Sequence, residues 1–317
     1  MEVRGDAERN PGGTALPTSQ YGLIVYEGDL YNNIGDEIQS TAALAFLPTV
    51  DHLIPVHTLT SSTPRNSVSG RVKVIMNGYF TCYPDAWPPP DWIDPLFVSF
   101  HLSAITYPPL TPSSVGRRKS AAEILLSGRN LDYFKRYEPI GCRDRVTVDR
   151  FTSAGVQAYF SGCLTLTLRQ AWHRSRDKIY IVDVNCDLSE VIESLPRHLR
   201  ERVVAVTHDL PAPARMSQIE RFASARELLM MYSAARLVVT SRLHCALPCL
   251  ALGTNVVFLE PSGDFDRLDG LRELLNTFTR DDVVNRRIDW ESPPANPSLH
   301  LALRDQLAAA CRNFLTP

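Results

Sequence analysis

The sequence predicts an α/β protein built as two Rossmann-type halves, each a parallel sheet covered by helices. Three observations lead there. Short apolar runs suited to buried strands recur at residues 21–26, 72–76, 96–100, 178–182, 203–206, 237–240 and 255–259. Segments with helical apolar spacing lie between many of them, and such alternation implies a parallel sheet with helices on both faces. The third observation is size: 317 residues, 44% hydrophobic and 21% charged, hold two ordinary globular domains at roughly 150 residues each.

Residues 1–20 are polar and rich in Gly and Pro, the composition of a disordered lead-in. An N-terminal domain is expected over 21–170, beginning with the strand at 21–26 and a polar turn. The helix that follows carries Ile38, Ala42, Ala45 and Phe46 on one face and stops at Pro48. Asp36 with Gln39 three residues later fits a capping box. Eight of the 23 prolines fall in residues 84–112, which predicts a surface excursion because proline supplies no ladder hydrogen bond. Next come a helical region over 120–137, a short strand into Gly141, a helix over 146–154 and an extended segment over 157–168.

A basic stretch without apolar periodicity makes 171–177 the expected linker, and 178–297 the C-terminal domain. Its helices are expected at 188–195, 217–235, 243–252 and 265–276. The final segment, 298–317, places Leu299, Leu303, Leu307 and Cys311 four apart, one apolar helical stripe to bury. No repeat of solenoid or propeller period is present.

Charge and motif content remove several function classes. With 33 Lys+Arg against 35 Asp+Glu the formal net charge is −2, too little positive charge for a dedicated nucleic-acid binder. The longest uncharged windows are interrupted by polar residues, Gly or Pro, so no transmembrane span is expected. The N-terminus lacks the apolar core of a secretory signal. Seven scattered cysteines without a CxxC pair argue for reduced thiols in a cytoplasmic protein and against a zinc knuckle. HExxH, GxxxxGK[ST], a strand-following GxGxxG and GxSxG are all missing from the sequence.

Three segments carry chemistry. In Tyr31-Asn-Asn-Ile-Gly-Asp-Glu37 a glycine and a helix N-terminus suit an anionic ligand, and Asp36 or Glu37 suits a base towards a hydroxyl. The plain alternative is that Asp36 caps the helix and Gly35 makes the turn. In Gly141-Cys-Arg-Asp-Arg145 one arginine pairs with Asp144 while the other stays free, or all three form a surface ion pair. In Val239-Thr-Ser-Arg-Leu-His-Cys245 a strand delivers Ser241, Arg242 and His244 to the carboxyl edge of a sheet, where ligands bind in open α/β folds. A guanidinium fork suits phosphate or carboxylate, and an imidazole two residues on suits proton transfer. His101 and His208 stand at strand ends, where each either lines the cleft or bonds to backbone. Trp87 and Trp92 lie in a Pro-rich loop, 83–95, that reads equally as a sugar-stacking surface or a packed Ω-loop.

Taken in order, these segments resemble the polysaccharide pyruvyl transferase family over about residues 21–260. The matching motifs are Asn33-Ile-Gly-Asp36, Cys142-Arg-Asp-Arg145, and Thr240-Ser-Arg-Leu-His244 with the small-residue helix through Gly253. Ser161-Gly-Cys163 departs from the pattern, since many members carry an aspartate there. The resemblance implies a GT-B-like arrangement, with the two parallel sheets facing across a cleft and the C-terminal helix folding back. It implies transfer of a pyruvyl group from phosphoenolpyruvate to a sugar hydroxyl pair, giving a cyclic ketal and phosphate. Arg242 and His244, with Ser241 and Leu243, would meet the donor, and Arg143 would be a second anion contact. Asp36 would lie across the cleft near the acceptor, with Asn33, Gly35, Glu37, His101 and Trp87 as further candidate acceptor contacts.

The implied reaction fits the residue types. Phosphoenolpyruvate needs two cationic or N–H-rich features, which Arg242, Arg143 and the helix N-termini supply. His244 is the acid expected to protonate the methylene carbon, and Asp36 the base for a hydroxyl. No metal or cofactor is expected. The expected partners are phosphoenolpyruvate and a sugar or oligosaccharide acceptor, free or lipid-linked, and not nucleic acid. A cytoplasmic location is expected, with a peripheral position at the inner membrane face as a variant. Two other readings use the same features: a GT-B glycosyltransferase acting on a nucleotide sugar, and a non-catalytic carbohydrate-binding protein of the same fold. The first lacks the Glu-x7-Glu pattern that many such enzymes place on the nucleotide sugar.

Overall fold

The strand β1 (Gln20–Val25) is buried on both faces from Tyr21 onward, as its uninterrupted apolar run requires. It lies inside a parallel sheet of order β2 (His52–Pro55), β1, β3 (Val72–Met76), β4 (Ile93–Phe97). Helix α1 (Gly35–Leu44) follows β1. A short antiparallel pair, β5 (Thr106–Tyr107) and β6 (Lys119–Ser120), leads into α2 (Ala121–Leu125) and α3 (Gly128–Arg136). The parallel pair β7 (Ile140–Cys142) and β8 (Ala158–Phe160) flanks α4 (Arg145–Ser153). It extends the sheet beyond β4 through the Phe100–Cys142 bridge, with the Arg143 N–H donating to the Phe100 carbonyl at 2.8 Å. The computed structural model describes residues 19–28, 32–60, 70–80, 87–103, 106–107, 119–169, 177–261 and 266–316. The lead-in at 1–18, the loop residues 83–86 and the linker residues 171–176 lie outside these.

The second sheet is also parallel. Its order is β10 (Val203–Val206), β9 (Ile179–Val182), β11 (Leu237–Thr240), β12 (Val256–Leu259), β13 (Thr277–Phe278). Helices α5 (Leu188–Ser194), α6 (Arg197–Arg200), α7 (Gln218–Ser233), α8 (Leu243–Ala251) and α9 (Arg280–Val284) connect or flank its strands, and α10 (His300–Leu315) closes the described chain. β11 and β12 are buried at every position, matching their runs of Leu, Val and Phe. The chain is therefore a mixed α/β protein with parallel sheets.

One hydrophobic cluster spans both sheets, beside a further cluster within each half. Ile38 and Ala42 of α1 pack in the same cluster as Leu228 and Tyr232 of α7, Leu247 and Leu250 of α8, and Leu307 and Cys311 of α10. A buried ion pair crosses the same seam, Arg221 Nε of α7 donating to Glu37 Oε1 of α1 at 2.5 Å. α10 reaches back to the first sheet, where Lys73 Nζ donates to the carbonyls of Phe314 at 2.7 Å and Thr316 at 3.1 Å. That caps the negative end of the helix.

Several expectations need correction. Asp36 does not cap α1: the helix starts at Gly35 after Ile34, which makes no side-chain cap bond, and the Gly35 N–H donates to Asn33 Oδ1 at 2.9 Å in a turn just ahead of the helix. The helical region at 120–137 is two helices, broken where Gly128 adopts φ +52°. The helix expected over 265–276 is a pair of 3-10 turns, Asp266–Leu268 and Arg272–Leu274. Gly270, between them, sits at φ +81°, and a Cβ there would lie 2.9 Å from the Phe160 ring, so the chain bends tightly to pack on β8. β4 begins at Ile93 rather than 96 and takes Pro95 in register with Val74. It ends before Ser99, whose φ of +57° cannot continue a strand.

The Pro-rich segment is not wholly a surface excursion. Trp87, Pro89 and Pro90 are buried. Trp87 stacks on Phe134 at 5.3 Å between ring centres, packs edge-on to Phe100, and donates its indole N–H to the Phe80 carbonyl. With 2% of its surface exposed, Trp87 belongs to an aromatic core and is removed from the acceptor contacts.

Candidate functional site

The carboxyl ends of β9 and β11 open into a cavity of about 460 Å³ that also receives the N-terminal end of α1. Asn33 lines it from the first half. Ser241, Arg242, Leu243 and His244 line it from the second, together with Asp183, His208 and Arg267. The halves are stitched at its rim: Ile34 N–H donates to the His208 carbonyl at 2.9 Å, and Leu210 N–H to the Asn32 carbonyl at 2.7 Å.

Two helix N-termini meet here. Arg242 is the N-cap of α8, and Leu243 and His244 form its first turn, where backbone N–H groups have no partner within the helix. α1 begins at Gly35, and a Cβ at that position would lie 3.1 Å from His244 Cβ and 3.3 Å from its Nδ1. Both positive helix ends thus face one space, an arrangement that favours an anion.

Arg143 stands behind this space, 2% exposed, with its Nε unpartnered. Among the described residues no carboxylate forms an ion pair with it. Its charge falls on Asp36 and His244, whose protonation it perturbs. Burial pushes the Asp36 carboxyl up to about 6, against the pull of Arg143 and Arg267. His244 is pushed well below its ordinary value by burial first, then by Arg143 and Arg267. In the free protein His244 is accordingly a neutral imidazole, with Nε2 buried and unpartnered.

Arg242 is less free than its sequence position implies. Its Nε donates to Asp183 Oδ2 at 3.0 Å, and one terminal nitrogen donates to Asp209 Oδ1 at 3.1 Å. Asp183 also accepts from the His208 N–H at 2.8 Å and holds an unfavourable φ of +42° to do so. Ser241 lines the cavity but its Oγ accepts from the Asn185 N–H at 2.9 Å.

Two other candidates are committed elsewhere. Glu37 faces Arg221 in the buried seam, so it is a structural partner and not an alternative base. Burial pushes its carboxyl up while the guanidinium pulls it back. His101 donates from Nδ1 to Asp144 Oδ2 at 2.6 Å; burial lowers the imidazole to about 4, and its hydrogen bond holds Asp144 below the usual carboxylate range. Asp144 in turn caps α4 by accepting from the Thr147 N–H at 2.8 Å. The Asp144 carboxylate is hydrogen-bonded to His101 and the helix, and among the described residues it makes no contact ion pair with its neighbour Arg143, although the guanidinium's charge helps hold it ionised. His101 is a supporting residue at the back of the site and does not line the cavity.

Asp183, Asp209 and Arg267 were not singled out from sequence. Asp183 directly follows β9, which is the signal available in hindsight. Ser161, at the departure from the family motif, is buried; its Oγ accepts from the strained Ser99 N–H at 2.9 Å and donates to the Cys142 carbonyl at 3.0 Å. Among the described residues no group of three His, Cys, Asp or Glu side chains is placed to hold a metal ion. No helix among them is long and apolar enough to cross a membrane.

Residues 131–263 match the family model for polysaccharide pyruvyl transferases, a stretch that includes Arg143, Asp183, His208 and the Arg242–His244 turn but not Asp36. No curated protein matches the chain. A crystal structure of a functionally uncharacterised protein from Klebsiella pneumoniae superposes with a TM-score of 0.47 at 14% identity, covering 82% of this chain and 92% of that one.

Proposed function

We propose that this chain, a match to the polysaccharide pyruvyl transferases over residues 131–263, transfers the pyruvyl group of phosphoenolpyruvate to two hydroxyls of a sugar. The observation that carries the reading is Arg143: a buried guanidinium with its Nε unpartnered and no carboxylate ion pair among the described residues, beside two groups fit for proton transfer. A buried unpaired charge costs stability, and a cleft that keeps one is made for an anion. The two helix N-termini and the third nitrogen of Arg242 add donors for a ligand that carries both phosphate and carboxylate.

In this mechanism the donor anion reverses the field at His244. Its charges offset Arg143 and Arg267, so the imidazole takes up a proton on binding. His244 gives that proton to the methylene carbon, leaving a cationic centre at the carbon that bears phosphate. Asp36, with a carboxyl that titrates near 6, accepts the proton of the first sugar hydroxyl as its oxygen attacks that centre. The phosphate departs with the C–O bonding pair, and the second hydroxyl attacks the same carbon to close the ketal. Of the two hydroxyl protons, one restores the proton spent on carbon and the other leaves with phosphate. We read the two sheets as halves of a GT-B-like arrangement, 21–170 on the acceptor side and 178–297 on the donor side. The position of the cavity at the carboxyl ends of β9 and β11 supports this.

The test is phosphate release from phosphoenolpyruvate in the presence of a panel of sugars, nucleotide sugars and lipid-linked sugars, with mass analysis of the product. A sugar gaining the mass of a ketal-linked pyruvyl group supports the reading. Stabilisation of the protein by a nucleotide sugar and none by phosphoenolpyruvate would overturn it.

A further inference from the structure

The C-terminal end of α1 borders a second space, separate from the reaction cleft. α1 has ten residues, which at 1.5 Å per residue puts its two ends about 15 Å apart. Gly35 abuts the cleft at one end, while Thr41, Ala45 and Phe46 line a cavity of about 680 Å³ at the other. This size falls within the range that holds small organic ligands.

Its chemistry is divided. Leu168, Leu229, Met230 and Leu252 give it an apolar interior, and Met230 is exposed to solvent despite its size. Three arginines from three different elements surround it: Arg169 after the 3-10 turn Leu164–Thr167, Arg226 of α7 and Arg312 of α10. None of the three has a carboxylate partner among the described residues. A polar cavity of about 410 Å³ adjoins, sharing Phe46, Leu168, Arg169 and Arg312 with the first. Arg304 also lines this second cavity, but its Nε is already held by Asp305 at 2.9 Å. Arg169 and Arg312 therefore stand at the junction between an apolar space and a polar one.

Gathering three uncompensated guanidinium groups at one rim is unfavourable by itself, because like charges in a cleft reinforce one another's field. The arrangement becomes favourable when a polyanionic head occupies the rim. Guanidinium forks match phosphate oxygens in geometry as well as charge. An apolar interior beside such a rim gains from an aliphatic chain, at roughly 25 cal/mol per Å² removed from water.

We propose that this groove binds a phosphate-headed aliphatic amphiphile, its phosphate between Arg169, Arg226 and Arg312 and its chain against Leu229, Met230 and Leu252. The site stands independently of the transfer reaction: neither Arg143 nor His244 contributes to it, and phosphoenolpyruvate has no aliphatic chain to fill it. A lipid-borne phosphate is the occupant that uses both halves of the groove.

The experiment is calorimetric titration of the whole protein with dodecyl phosphate below its micellar concentration, beside inorganic phosphate and dodecyl maltoside. Dodecyl phosphate should bind saturably with one site, at least tenfold more tightly than dodecyl maltoside, and inorganic phosphate should show no saturable binding there. The triple variant Arg169→Gln, Arg226→Gln, Arg312→Gln changes exposed side chains only and should lose at least tenfold in dodecyl phosphate affinity. Ala45→Trp, which fills the apolar end and leaves the charges in place, should lose a similar factor. Equal affinity for dodecyl maltoside would show a bare apolar patch. Displacement by millimolar inorganic phosphate alone would show a plain ion site. Either result, or no binding of dodecyl phosphate, overturns the proposal. Phosphoenolpyruvate affinity measured in the triple variant should be unchanged, which keeps this test separate from that of the reaction.

Discussion

Gly35 and His244 touch across the seam between the two halves: a Cβ on Gly35 would come 3.1 Å from His244 Cβ and 3.3 Å from its Nδ1. Gly35 has no positive φ, so backbone freedom does not explain the glycine; the close approach of the imidazole, and of Asn33 Oδ1 at 3.0 Å, does. Alanine is the better helix former by up to about 1 kcal/mol, so Gly35→Ala should leave the melting temperature nearly unchanged. Turnover should nonetheless fall by about tenfold or more, since small displacements at a reacting group are costly. Melting curves and steady-state rates on the same preparation check this; unchanged turnover would separate His244 placement from catalysis.

Arg242 is shared between Asp183 and Asp209, and the two carboxylates should behave differently. Asp209 is exposed and contributes only an ion pair worth about 0–1 kcal/mol. Asp209→Asn should therefore free the guanidinium and tighten donor binding by up to about fivefold, with stability unchanged. Asp183→Ala should weaken donor binding and lower stability together, because it removes the acceptor of both Arg242 and the His208 N–H. Calorimetric titration with phosphoenolpyruvate distinguishes them, and equal effects of the two substitutions would contradict the assignment.

His244 gives a pH dependence whose sign follows from its environment. It is neutral in the free protein because burial and the neighbouring arginines depress it. If it is protonated in the donor complex, the complex holds more protons than its separated parts, and affinity for phosphoenolpyruvate rises as pH falls. At pH 7, titration in two buffers of different ionisation heat should show proton uptake on binding. His244→Gln should reduce that uptake; an identical value in the variant would remove His244 as the acid.

Glu37 and Arg221 predict a stability effect with its own pH signature. Arg221→Met leaves the Glu37 carboxyl buried without its cation, a loss that reaches about 3–5 kcal/mol only at a pH high enough to ionise it. Without Arg221 the Glu37 carboxyl lies further above its ordinary value of 4.5, so the folded state binds a proton that the unfolded state does not. Burial already raises Glu37 to about 7 with Arg221 in place, so the deficit against wild type should shrink as pH falls from about 9 towards 7 and level off below that. Urea denaturation at several pH values measures it, and a deficit that grows on acidification would contradict the pairing.

What could be read from the sequence divides along physical lines. β3 and β11 fall where their apolar runs stand, because a strand buried on both faces needs a continuous run and little else; β10 also falls on its run, though as an edge strand with Val204 and Ala205 exposed. The turn from Ser241 to His244 was legible because one strand and one helix carry all of it. Distant partners were not. Asp36 and Glu37 are adjacent carboxylates, and which of them enters the seam is decided by Arg221, 184 residues away. Asp183, Asp209 and Arg267 come from separate loops that only the sheet topology brings together. Trp87 misled because a Pro- and Trp-rich segment has the same composition on a surface as in an aromatic core. The bend at Gly270 was hidden for a similar reason: Leu268, Leu271 and Leu274 have helical spacing, yet they are buried by two tight turns.

The central claim is that Arg143, buried and without a carboxylate ion pair among the described residues, meets the donor's charge, and Arg143→Met tests it most directly. Removing a buried guanidinium that makes no carboxylate ion pair among the described residues should leave the free protein folded and close to wild type in stability. In wild type, phosphoenolpyruvate at 100 times its dissociation constant should add about 2.7 kcal/mol of stability, read as a rise in melting temperature. The account predicts that this rise disappears in Arg143→Met while the free protein remains folded. A variant stabilised by phosphoenolpyruvate as much as wild type would contradict it.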